Sequence, residues 1–225
     1  MTERSAGRAG LAAVAVFWPA LFAFAAAHPG YSHFTQAISE LGAVGAPHAL
    51  AWNLIGFIVT GLLLAVCGAG LAFAIDGRRS ALWWLLVFSG LGFVGAGVVP
   101  TEMQNGSPQF SSPLTICHIF MSFVSGIPWL IATLLLVSRI KQNPNWRRLT
   151  KTSVLLALLG FTAYPLNFLA RSLPFFDQRP GLAQRIFFAV YFGWYLAMSC
   201  CLLRQVGSAR GKTGQDAFDT TRTQG

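Results

Sequence analysis

Charged side chains are scarce in this sequence: Asp, Glu, Lys and Arg make up 10% of its 225 residues, against about a quarter in soluble globular domains. That scarcity excludes a water-soluble globule. Segments of about ten residues with alternating polarity are absent too, which excludes a transmembrane β-barrel and leaves every membrane crossing to helices. The four cysteines, Cys67, Cys117, Cys200 and Cys201, show neither a paired framework nor CxxC spacing. Neither disulfides nor a thiolate metal site is indicated. No nucleophile elbow, P-loop, HExxH or nucleotide fingerprint occurs, and Gly68-x-Gly70 has no strand before it. The first half of the chain does not recur in the second, which argues against a transporter built from inverted repeats.

What is present is apolar sequence in long blocks. Hydrophobic residues make up 54% of the chain, and the blocks lie near residues 10–27, 50–75, 81–99, 113–137, 152–170 and 183–203. Each is close to the ~20 residues that a helix needs to cross a ~30 Å hydrocarbon layer. The fold class that follows is all-α, a polytopic membrane bundle of about six transmembrane helices. Its parts are an N-terminal tail (1–9), a six-helix membrane domain (10–204) and a polar, disordered tail (205–225). Arg4 and Arg8 before a run that closes on Ala25-Ala26-Ala27 also fit a cleaved secretory signal. The length of that run, its bulky Phe17-Trp18-Pro19 and the need for an even number of spans favour a retained helix.

Loop charge sets the expected orientation, because short loops rich in Lys and Arg stay in the cytoplasm. Of sixteen Lys and Arg, thirteen flank one side of the expected bundle, in the two tails, at Arg78 and Arg79, and from Arg139 to Lys151. Arg171, Arg179 and Arg185 flank the other, balanced by Glu40, Glu102 and Asp177. Both termini are therefore expected inside, and the whole net charge of +9 with them. These cations border helix ends without the motif of any nucleic-acid module, so no nucleic acid is expected and anionic membrane lipid is the partner.

Ionisable residues near a membrane helix are costly, and each is a functional candidate whose partner has to be named. Here they cluster on the expected outer side: His28, His33, His48 and His118, with Glu40, Glu102, Arg171 and Arg185. Thr115, His118, Ser122, Ser125 and Trp129 step down the fourth span at helical spacing, a polar stripe that must face protein or water. Tyr164, Asn167 and Arg171 form a similar stripe on the fifth, and Asn53 and Thr60 lie on one side of the second. In the 28–49 connection, Ser32 is placed to cap a short helix ending at Gly42, with His33, Gln36 and Glu40 on one face and Phe34, Ile38 and Leu41 on the other. Gly56-x-x-x-Thr60, Gly68-x-x-x-Ala72 and Gly92-x-x-x-Ala96 read as close-packing faces.

Three readings of the outer cluster stay open. Glu40, His118 and Arg185 are the catalytic candidates of an embedded enzyme, His118 or Glu40 moving a proton and Arg185 holding an anion. Glu40, Glu102, His118, Arg171 and Arg185 are the candidates for a pocket that takes a lipid or lipid-like small molecule. The same residues also read as an ion-pair set that fixes the loops of a structural or accessory subunit, with Arg185 paired to Glu40 or Glu102. A metal site is not expected, since on a helix His33 and Glu40 lie about 10 Å apart along the axis. No cofactor is implied.

Several strings read together carry a resemblance: His28-Pro29-Gly30-Tyr31-Ser32, Ile38-Ser39-Glu40-Leu41-Gly42, Pro100-Thr101-Glu102, His118 early in the fourth span and Gly181-Leu182-Ala183-Gln184-Arg185 opening the sixth. The chain resembles the bacterial integral membrane family known as domain of unknown function 998, from about the first span to the sixth and without either tail. Where Glu102 stands, the family more often shows Asp. The resemblance implies a six-span protein of the bacterial plasma membrane, no established activity, and Glu40, Glu102, His118 and Arg185 as one linked set.

Overall fold

The computed structural model describes residues 2–144, 146–170 and 172–205. Among these residues six helices are long and apolar enough to cross a membrane: α1 Glu3–Ala26, α2 Ala49–Asp76, α3 Ala81–Val98, α4 Pro113–Gln142, α5 Thr150–Leu169 and α6 Pro180–Gln205. Each expected apolar block is one of them. The tail expected to be disordered beyond Gln205, and the side chain of Arg171, lie outside the described residues.

Local chemistry explains where the helices start and stop. Hydroxyls accept from the exposed N–H groups of the first turn: Thr2 from Ser5 at α1, Ser80 from Trp83 at α3 and Ser112 from Thr115 at α4, with Pro113 first in the last of these. The Thr2 cap starts α1 at Glu3, ahead of the apolar block. α2 stops at Gly77, whose φ of 66° suits a residue without a side chain.

Each helix packs on its neighbours in sequence and α6 returns onto α1, which closes the bundle. The connections 27–48, 99–112 and 170–179 meet at one end, called the loop end here. Small residues set the helix spacing, as expected: a Cβ on Gly92 of α3 would lie 2.4 Å from the Ser125 nitrogen of α4, and one on Gly68 of α2 would lie 2.6 Å from Leu86 of α3. The centre is aromatic, with Phe17 stacked on Phe192 at 4.2 Å and on Phe188 at 5.3 Å.

Two features depart from helical expectation. The short helix from Ser32 to Gly42 is reduced to a 3-10 turn, Ile38–Gly42, preceded by an irregular strap. Ser32 caps no helix; its hydroxyl accepts from Phe34 two residues on, and its own N–H donates to the Gln36 side chain. Burial also reverses part of the expected facing, for Glu40 is buried with Ile38 and Leu41 while Phe34 is exposed. The second departure is a π-helical stretch, Asn53–Val59, inside α2. It begins at Asn53, whose amide donates to the Gly42 carbonyl at 2.8 Å.

Candidate functional site

A cavity of about 200 Å³ opens at the loop end. That is smaller than the ~300–1,000 Å³ of sites for drug-sized ligands, and nearer the size of a head group. Its walls come from four parts of the chain: the end of the strap at Ala37 and the 3-10 turn with Ser39 and Glu40, α4 with Thr115, His118 and Ser122, α5 with Asn167 and Phe168, and Gln184 of α6. The hairpin Met103–Pro108 helps to cover it through Pro108, and Phe110 lies just beyond. The Asn105-Gly106 turn of that hairpin holds φ of 52° and 74°, the left-handed pair that a two-residue turn requires.

Glu40 and His118, from distant parts of the sequence, meet in this cavity. Glu40 is 5% exposed, and its carboxylate accepts from the Ala37 N–H at 2.9 Å, which fixes the 3-10 turn that carries it. The Nδ1 atom of His118 lies 2.9 Å from the carbonyls of both Ala96 and Val99. Those are carbonyls at the end of α3 that the helix leaves unpaired, and a carbonyl only accepts. Nδ1 therefore carries the proton, and Nε2 is left as a lone-pair acceptor on a ring that lines the cavity.

Arg185 does something other than the expected carboxylate pairing. Its Nε donates to His33 Nδ1 at 3.0 Å, its Nη1 to the carbonyls of Gln36 and Gly181 at 2.9 and 2.8 Å, and its Nη2 to the Tyr31 hydroxyl at 2.7 Å. All four acceptors are neutral. The guanidinium also lies over the Tyr31 ring, 5.6 Å from its centre. Arg185 is the clasp that ties the strap to α6, and the strap in turn forms a wall of the cavity. Burial pushes the Tyr31 hydroxyl up to about 12, against the opposing pull of Arg185. Burial, and then the Arg185 charge, hold His33 below its usual value, as an acceptor to a cation must be.

Glu102 lies outside the cavity wall. Its carboxylate accepts from the Ser112 hydroxyl and its N–H donates to Thr115 Oγ1 at 3.0 Å, so it pins the start of α4. The Arg171 side chain is not among those described, and the expected role for it is neither met nor refused. Among the described residues no three His, Cys, Asp or Glu side chains gather around a point that would hold a metal ion.

A second chamber of about 40 Å³ lies deeper and shares Ser122, Asn167, Phe168 and Gln184 with the first. Its lining is mostly aromatic, Phe57, Phe93, Phe187, Phe188 and Tyr191. The Tyr164 hydroxyl, on its wall, is buried without a hydrogen-bond partner among the described residues. Sequence reasoning underweighted Gln184, read only as part of a Gln-Arg string, and did not single out Phe168. Gln184 is identified by its bond to the strap, where its Oε1 accepts from the Ile38 N–H, a contact that no spacing rule contains.

A family model described as "Protein of unknown function (DUF998)" matches residues 11–200 of the chain. No curated protein and no solved structure matches it.

Proposed function

The chain belongs to the DUF998 family, whose description names no activity, and from the site itself we propose that this multi-pass protein sits in a bacterial plasma membrane with the loop end outward and binds an amphipathic, lipid-like molecule there. The observation that carries this reading is the pair of joined chambers. The upper one offers hydroxyls, two amides and the His118 acceptor, and the lower one offers aromatic faces. Such a gradient matches a ligand with a polar head and an apolar continuation, since each buried polar group of the head finds a partner and no apolar atom has to face one.

A second reading is favoured by one geometric fact. A histidine whose Nδ1–H is fixed by backbone carbonyls presents Nε2 in the state that a general base requires. Under it the protein is an embedded enzyme acting on a lipid-linked substrate, with His118 the proton acceptor.

Binding is tested by titrating monoolein, a single-chain lipid with two hydroxyls, into the full-length protein in detergent and following the melting temperature. A saturable rise is expected, since a ligand at a hundred times its dissociation constant stabilises by about 2.7 kcal/mol. Asn167→Leu, close in volume but without the amide, should weaken it. An equal rise in that variant, or one that never saturates, would mean that monoolein acts as detergent and not as a cavity ligand.

A further inference from the structure

The α4–α5 seam is closed in two different ways along its length. Tyr164 of α5 lies against Gly126 of α4 so closely that a Cβ on the glycine would be 2.0 Å from the ring. Toward the other end of the bundle the seam stays tight, with the Trp129 ring 2.7 Å from where a Gly160 Cβ would be. Both helices carry a proline beside the Gly126–Tyr164 contact, Pro128 on α4 and Pro165 on α5. A proline lacks an N–H and leaves the carbonyl four residues earlier without its helical partner, here those of Val124 and Phe161. The contact thus falls inside the weakened turn of each helix, which makes it a pivot.

On the loop side of that pivot the seam is shut by one ring pair. Phe123 of α4 stacks on Phe168 of α5, with centres 4.6 Å apart and planes 15° from parallel. Phe168 lines both chambers, yet it is 37% exposed on the outside of the bundle, and Phe123 beside it is 36% exposed. In a membrane that outside is lipid. One aromatic pair therefore separates the cavity from the bilayer, next to a point where both helices are able to bend.

We propose that the seam between Phe123 and Phe168 is a lateral portal, and that the occupant of the cavity is a bilayer lipid whose head enters through it while its chain stays between the two rings. This rests on the reading of the cavity as a binding site and specifies where the ligand comes from. The volumes leave most of the chain outside: the upper chamber of about 200 Å³ is nearer the size of a head group, and the lower one of about 40 Å³ takes only the first apolar atoms behind it and not a whole acyl chain. On the loop side the cavity is lined by Ala37, Ser39 and Glu40, next to the strap that Arg185 holds in place, and by Pro108 of the hairpin.

The test uses the full-length protein with Cys117, Cys200 and Cys201 changed to Ser, in vesicles containing phosphatidylglycerol that carries a photoreactive diazirine on its head group. Labelling of Ser122 and Asn167 after illumination reports the head in the cavity, and its time course reports entry. Phe123→Cys with Phe168→Cys, joined by a short bis-maleimide, locks the seam. Locking is expected to slow labelling on the order of tenfold, equivalent to about 1.4 kcal/mol in the barrier, while protein loaded before locking keeps its label. Phe168→Ala is expected to load faster than the parent, and unchanged or slower loading would overturn the portal even if the locked protein does not fold. A locked protein that labels at the parent rate also overturns the portal but leaves cavity binding standing. Absence of cavity labelling in every protein overturns the binding reading and the portal together.

Discussion

The Arg185 clasp illustrates what a single residue contributes here. A guanidinium offers donors in a fixed fork, and four of its contacts are satisfied by groups as different as an imidazole, two carbonyls and a phenol. One of the four is an imidazole that can take up a proton. His33 accepts from Arg185 only while its Nδ1 is unprotonated, and its folded value lies below the usual 6.5. Between those two values the unfolded or undocked strap binds the extra proton and the docked strap does not, so docking strengthens as pH rises through that window and is lost as pH falls through it. Hydrogen exchange of residues 31–38 at pH 7.5 and at pH 5 measures this. Lower protection, taken relative to the intrinsic exchange rate at each pH, is expected at the lower pH, and His33→Gln, which keeps an acceptor but cannot titrate, should remove the difference. A strap equally protected at both pH values would show that His33 is not part of the clasp's strength. Glu40 and His118 were legible from the sequence, since an ionisable group in so apolar a chain is costly enough to stand out. The partners of Arg185 were not legible, because a carboxylate is the default expectation for a half-buried cation, whereas here the acceptors are supplied by the folded path of a loop.

At the level of elements, hydropathy located all six helices because the thickness of a bilayer fixes their length. It was silent on the π-helical stretch Asn53–Val59, which begins at a residue held by a tertiary contact. Asn53 is buried and its Nδ2 donates to the Gly42 carbonyl, while a Cβ on Gly42 would lie 1.9 Å from the Asn53 Oδ1. The two residues form one contact between α2 and the end of the turn that carries Glu40. Asn53→Leu leaves that carbonyl buried and unpaired, at about 1–3 kcal/mol, and Gly42→Ala drives a methyl into the amide. Each is expected to lower the melting temperature of the purified protein. Because both act on the same contact, the double variant should fall short of the sum of the two. Strict additivity would place the residues in separate contacts. The strap escaped sequence reading for a related reason: its apolar and polar spacing suits a helix, but the bonds to Gln184, Arg185 and Leu182 from α6 take up the Ile38 N–H, the Gln36 carbonyl and the Phe34 carbonyl that a helix would use or crowd.

For the molecule as a whole, the six-span bundle has two chemically different ends. The loop end gathers the cavity, the strap and the hairpin; the other receives Glu3, Gln205 and the connections after Asp76 and Gln142. Thirteen of sixteen Lys and Arg belong to that second end or to the segments that leave it. Part of this charge is built into the fold, since Arg139 lies 3.9 Å from Asp76 and Arg79 sits over the Trp83 ring at 5.2 Å. Arg147, Arg148 and Lys151 are exposed and suited to anionic head groups at about 1 kcal/mol per charge. Because short basic loops resist export across the membrane, the asymmetry supports the proposed orientation, with the cavity outward. The prediction is that, in intact bacterial cells expressing a Cys117→Ser background, a membrane-impermeant maleimide labels a cysteine at Gly106, in the hairpin turn, and labels one at Arg148 only after the membrane is opened. The opposite pattern would invert the protein. Neutralising Arg147, Arg148 and Lys151 to Gln tests the cause separately: if these charges hold the orientation, part of the population should then label in intact cells at a Thr150→Cys reporter, while correctly oriented molecules keep their response to monoolein, because the cluster lies at the far end of the bundle from the cavity.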